Sequence, residues 1–196
     1  MKSKMFVFSM ILVSGAFLAA QGMMGGYPWQ GEQQLTLHEA TRLLGQSAAT
    51  AHVDKAKNEV VFTGNNIVLA MAAVQPGFAD TTFEVAGLVD PTIVVPAGST
   101  ITLTLINMDY GQNMEHGVAI TPIGPPYPIL GMMGMPDSFA GVGILATRDR
   151  KNVDNARYPE GSITFPAPAA GVYYYLCQYR DHASKGMYGK FVVSGK

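Results

Sequence analysis

The chain has 196 residues, with 13 Lys and Arg against 14 Asp and Glu, a net charge of −1. That balance excludes a nucleic-acid binder, which needs a basic face to meet phosphates. Charged residues are only 14% of the chain, against about 25% in an average soluble domain, so few carboxylates are present to destabilise the fold in acid.

The chain opens Met1-Lys2-Ser3-Lys4, continues uncharged and apolar from Met5 to Ala20, and reaches the small residues Ala19 and Ala20 before the polar Gln21. A basic start, an apolar centre and a small-residue end are the order of a secretory signal peptide, assigned here to residues 1–20. A retained anchor is the rival reading, but the uncharged stretch of 16 residues falls short of the roughly 20 that span a bilayer. Removing Lys2 and Lys4 leaves 11 basic against 14 acidic residues, a net of −3. No later apolar run is long enough to cross a membrane, and the remainder suits one domain with a real core.

Residues 21–57 are predicted to form an amino-terminal arm and helical extension packed on a main domain of residues 58–196. Residues 22–34, rich in Gly, Met and Gln, read as a loose arm. A helix follows, because Thr36 and Glu39 have capping-box spacing and Leu37, Ala40, Leu43 and Leu44 share a face. Gly45 is the predicted stop. From Glu59 the texture turns to β. Val60-Val61-Phe62, Ile67-Val68-Leu69-Ala70 and Thr92-Ile93-Val94-Val95 are short apolar runs between Gly, Asn and Pro turns. Thr100 to Ile106 alternates Thr with Ile or Leu, the period of a half-buried strand. Ser162 to Phe165, Val172 to Cys177 and Lys190 to Val193 add three more strands, and Gly117 to Ile120 another. Short strands with little helix predict an all-β sandwich. Ile123 to Glu160 reads as a long connection rich in Pro, Gly and Met.

Chemistry concentrates at the carboxyl end. Cys177 is the one cysteine, so no internal disulfide forms. Cys177, His182 and Met187 have C-x4-H-x4-M spacing on a loop between two predicted strands, and His116 stands directly before an earlier one. Taken singly, His116 and Met187 are ordinary core residues, and Cys177 is as readily a plain buried thiol. Together they are one metal centre. Two imidazoles and a thiolate in a trigonal plane, with a weak axial thioether, suit both the cupric and the cuprous ion. The set leaves no open position for a substrate, which favours electron transfer over catalysis. A copper-storage or delivery protein is the alternative, for which the Met132, Met133 and Met135 cluster speaks. A copper oxidase or nitrite reductase needs further histidines, and His38 and His52 read as surface residues.

Gly124-Pro125-Pro126-Tyr127, the run Gly171 to Gln178, His182-Ala183 and Gly186-Met187-Tyr188-Gly189-Lys190 together resemble the rusticyanin family of blue-copper proteins, as do Ala72 to Phe78, Phe83-Glu84-Val85 and Ile93 to Gly98. The resemblance covers nearly the whole chain after residue 20. It implies a cupredoxin-like Greek-key sandwich and one type 1 copper on His116, Cys177, His182 and Met187. It also implies a periplasmic, acid-stable carrier that passes single electrons between cytochromes c on the path from ferrous iron, and a carrier of this size, needing no oligomer, is expected to be a monomer. Two departures stand out. Gly117 replaces a serine usual in the family, and the stretch Asn107 to Glu115 is longer and carries Asp109 and Glu115. An apolar collar around His182, with Pro125, Pro126, Met132 and Met133 as candidates, is the expected docking face.

Overall fold

The computed structural model describes residues 22–24, 27–129 and 137–195. The signal-peptide reading of residues 1–20 and the Met132, Met133 and Met135 cluster lie outside the described residues. The first half of the chain forms β1 (Gly22–Met24), β2 (Tyr27–Leu35), helix α1 (Leu37–Ala49), β3 (Ala51–Asp54), β4 (Glu59–Phe62), β5 (Asn66–Ala73), β6 (Phe83–Val85) and β7 (Leu88–Val89). The second half forms β8 (Thr92–Pro96), β9 (Thr100–Asn107), β10 (His116–Thr121), β11 (Ala140–Leu145), β12 (Tyr158–Pro166), β13 (Gly171–Cys177) and β14 (Tyr188–Ser194).

These strands make two seven-stranded sheets, in the orders β1-β2-β12-β9-β5-β6-β7 and β11-β10-β13-β14-β8-β4-β3. The core lies between them. On β9, Ile101, Leu103 and Leu105 are fully buried while Thr102 and Thr104 stay half-exposed, as the alternation requires. Leu69, Phe83, Ile93, Phe165 and Phe191 fill the same cluster, each burial favouring the fold by about 1.5–3 kcal/mol.

Helix α1 carries the capping box predicted for it: Glu39 N donates to Thr36 Oγ1, and Thr36 N donates to Glu39 Oε2 at 2.7 Å. Its Leu face packs on Ala72, Ile106 and Tyr158. Gly45 does not end the helix, which runs on to Ala49. The extra turn seats Ser47, fully buried, where its Oγ accepts from Ala70 N of β5 at 3.0 Å. That contact outweighs the propensity cost of one glycine, about 1 kcal/mol.

Two further expectations are corrected. The arm predicted to be loose contains β2, which pairs antiparallel with β12 through Tyr158↔Leu35 and Pro159↔Gln34. Its Gly and Gln content hides it, because the ladder is made by backbone groups. The long connection contains β11, which pairs with β10 through Ala119↔Gly141 and Ile120↔Ala140. Gly141 reads as a turn residue in sequence, but it serves close approach. A Cβ there would collide with the Val118 carbonyl oxygen.

Candidate metal centre

Strand pairing brings three of the predicted residues, His116, Cys177 and His182, together. β10 and β13 run antiparallel with Val118 opposite Cys177, so the start of one strand and the end of the other lie together at one end of the sheet. His116 opens β10 and Cys177 closes β13. A register irregularity between His116 and Val118 turns the histidine inward. The intervening Gly117 lies flat against β11, where a Cβ would stand 3.1 Å from backbone atoms of Gly143 and Ile144.

The loop from Gln178 to Gly186 is held at both ends. Gln178 Nε2 donates to the carbonyls of Val118 (2.7 Å) and Val142 (3.2 Å). A short 3-10 turn spans Ala183–Lys185, and Gly186 leaves it at φ 113, a left-handed conformation that glycine adopts without strain. Met187 N then donates to His182 O at 3.0 Å, and Cys177 N donates to Met187 O at 3.0 Å. The loop is therefore tied back on itself.

His116 Nδ1, His182 Nδ1 and Cys177 Sγ form a triangle with edges of 3.2, 3.6 and 3.6 Å. Bonds of about 2.0–2.3 Å from imidazole and thiolate to one metal ion span a plane of that size. His116 Nε2 lies 3.0 Å from Asp109 Oδ2. A carboxylate only accepts, so the ring proton is on Nε2 and the Nδ1 lone pair points into the triangle. A cation there fits this donor set. Burial pushes the Cys177 thiol up to about 12, against the opposing backbone donors of Tyr179 and Gly117. The sulfur holds its proton until a metal displaces it. The His182 value is lowered, first by burial and then by the neighbouring His116, which leaves its ring neutral with a lone pair to give.

Met187 is fully buried in the core cluster that holds Cys177. Tyr179 N donates to Cys177 Sγ at 3.4 Å, and its ring leans on that of His182, centroids 4.9 Å apart. Around His182 two surfaces meet. On one, Tyr127 packs with Leu176 and Ala183, the Ile129 carbonyl accepts from Asp181 N at 3.0 Å, and Pro125, Pro126 and Ile129 face solvent. The other is a polar groove lined by Asp80, Gln112, Asn113, Arg180 and Lys185. Among the described residues the surroundings of His182 are thus apolar on one side and polar on the other, and Met132 and Met133 of the expected collar lie outside them. His38 and His52 are exposed, as predicted. Sequence reasoning missed Asp109 as a partner of His116, because the six intervening loop residues carry no periodic signal.

No protein-family model matches the chain. Over 183 residues it is 34% identical to rusticyanin of Acidithiobacillus ferrooxidans, covering 92% of this chain and 90% of that one. The chain belongs to the rusticyanin family. Rusticyanin of Acidithiobacillus ferridurans is also 34% identical over 183 residues, with the same coverage of 92% and 90%. A solved structure of the copper protein rusticyanin superposes with a TM-score of 0.73 at 32% identity, over 83% of this chain and 97% of that chain. Reduced rusticyanin gives 0.73 at 32% identity, over 83% and 99%. The sandwich is therefore a cupredoxin fold, and the cluster of His116, Cys177 and His182 is a site that could bind one copper ion. Family and site together make this rusticyanin relative a blue-copper electron carrier.

Proposed function

We propose that the protein is a periplasmic type 1 copper carrier with His116, Cys177, His182 and Met187 as ligands. It passes single electrons between cytochromes c, or to another redox protein, in a respiratory chain that oxidises ferrous iron in acid. The observation that carries this reading is the buried triangle of two Nδ1 atoms and one sulfur. Copper bound there supplies a couple that gains or loses one electron in place. His116 holds its donor through Asp109, and His182 through the loop that closes on Met187. Tyr179 N–H, donated to the sulfur, tempers the negative charge of a bound thiolate. The core residues around Met187 and Cys177 exclude water, which favours the less charged cuprous state.

Export rests on the basic, apolar and small-residue order of residues 1–20, and a partner in the same compartment follows from it. Docking occurs over the apolar strip of Pro125, Pro126 and Ile129 beside His182, and a monomer suffices for it. Titration with cupric copper tests the reading. The protein develops the intense visible band of a thiolate–cupric bond, and Cys177→Ala abolishes it. Protein that stays colourless in cupric solution ends the proposal. Copper that binds without that band points to storage or delivery instead.

A further inference from the structure

We infer that Asp109 is a positioning residue of the metal centre whose carboxylate, through His116, favours cupric over cuprous copper. The inference rests on the blue-copper reading and deepens it. His116 is fully buried, and both ring nitrogens are engaged: Nδ1 faces the sulfur and the other imidazole, and Nε2 lies 3.0 Å from Asp109 Oδ2. A metal-bound imidazole that gives its outer N–H to a carboxylate becomes a more basic ligand and is fixed in orientation and tautomer.

Asp109 is itself held on every side. Its Oδ1 accepts from Tyr110 N at 2.7 Å, its N–H donates to Asn107 Oδ1 at 3.0 Å, and its carbonyl accepts from Arg148 N at 3.0 Å. Asn107, fully buried, clamps the surrounding loop by donating from Nδ2 to the Met114 and Ala146 carbonyls at 3.0 and 2.8 Å. With both oxygens engaged, the carboxylate does not swing away from His116. Asp109 is 7% exposed, and among the described residues His116 is its one ion-pair partner. Its charge thus has little water around it, and among the described residues no lysine or arginine nitrogen forms an ion pair with it. An uncompensated negative charge one imidazole removed from the metal position stabilises the doubly charged ion more than the singly charged one. It opposes the dry core, which works in the other direction.

Asp109→Asn removes the charge and keeps the side-chain volume, and its one acceptor oxygen can still take the His116 N–H while the amide nitrogen faces Tyr110 N, at a cost read separately as stability. The variant keeps the blue band, while its cupric affinity falls relative to its cuprous affinity by on the order of tenfold. For a one-electron couple that ratio is about 59 mV, so the midpoint potential rises by that amount. A purely structural Asp109 would lower stability and leave the potential where it was. Nitrogen-15 NMR of the diamagnetic cuprous wild type needs no variant to fold. His116 is expected there with its proton on Nε2, and a proton on Nδ1 instead overturns the inference. A wild type without the blue band overturns the copper reading and this inference with it. A blue wild type whose Asp109→Asn form has an unchanged potential overturns the inference alone.

Discussion

Met187 follows the left-handed Gly186 and has no solvent-exposed surface, so leucine, close to it in volume, is accommodated at that position. If the thioether is the weak axial ligand, Met187→Leu keeps copper and colour, and voltammetry finds a higher potential because cupric copper loses more than cuprous. Complete loss of copper from that variant would remove Met187 from the ligand set. At the buried Glu84 and the half-buried Asp90 the chemistry is acid–base. Glu84 accepts from Gln75 N at 2.9 Å and meets Thr82 Oγ1 at 2.5 Å, while that hydroxyl donates to Ala79 O at 2.7 Å. One hydroxyl proton cannot serve both neighbours, so a protonated Glu84 completes the chain. Burial raises Glu84 and Asp90 each to about 7. Unfolded, the two groups titrate near about 4, so the folded state holds their protons more tightly. Their stabilisation is full below about 4 and is lost as pH rises through about 7. Glu39 and Asp54 are shifted the other way, but both lie at the surface and count for little. Thermal melts of metal-free protein should therefore show a higher Tm at an acidic pH between those values than above them. Glu84→Gln should flatten that dependence, and a Tm that climbs steadily above neutrality would refute it.

Among the elements, β11 shows how close packing and readable sequence part company. Ala140-Gly141-Val142-Gly143-Ile144-Leu145 has neither the alternation nor the β-branched density of a strand, because its glycines let β10 approach without side chains between. The serine expected from the family at position 117 meets that approach directly, with its Cβ 3.1 Å from the β11 backbone. Gly117→Ser is predicted to lower the urea stability of the metal-free protein by about 1–3 kcal/mol, the usual cost of overpacking. No change in the denaturation midpoint would mean that β11 gives way freely. Strands β4, β5, β8, β9, β10, β12, β13 and β14 were legible because Thr and Ile alternate on β9 and apolar runs are bounded by turn residues elsewhere, whereas the three-residue β6 was too short to carry a pattern. The capping box located the start of α1, whereas its end depends on Ser47 reaching β5, a contact between residues 47 and 70 that no local pattern records.

For the molecule as a whole, the cluster of His116, Cys177 and His182 was legible because two of its members share one loop with fixed spacing and the third abuts an apolar strand. Asp109 was not, since its bond to His116 depends on how residues 107–115 fold. Of the residues expected to form a docking face, Pro125 and Pro126 are exposed, whereas the groove of Asp80, Gln112 and Arg180 beside His182 comes from segments far apart in sequence. Ile129, 62% exposed, stands on the apolar side. If electrons leave there, Ile129→Lys slows self-exchange between oxidised and reduced protein, read from NMR line broadening, and leaves the potential unaltered. An unchanged rate would move the docking face elsewhere. The burial of the donors bears on how long a metal stays. His116, Cys177 and His182 are exposed by 0%, 1% and 3%, so a chelator finds no accessible edge of the centre to attack. Release then waits for the 178–186 loop to break its own hydrogen bonds and swing out, a local opening event. Copper residence time is set by the frequency of that opening, not by affinity alone, and loss to excess chelator should level off at a rate independent of chelator concentration.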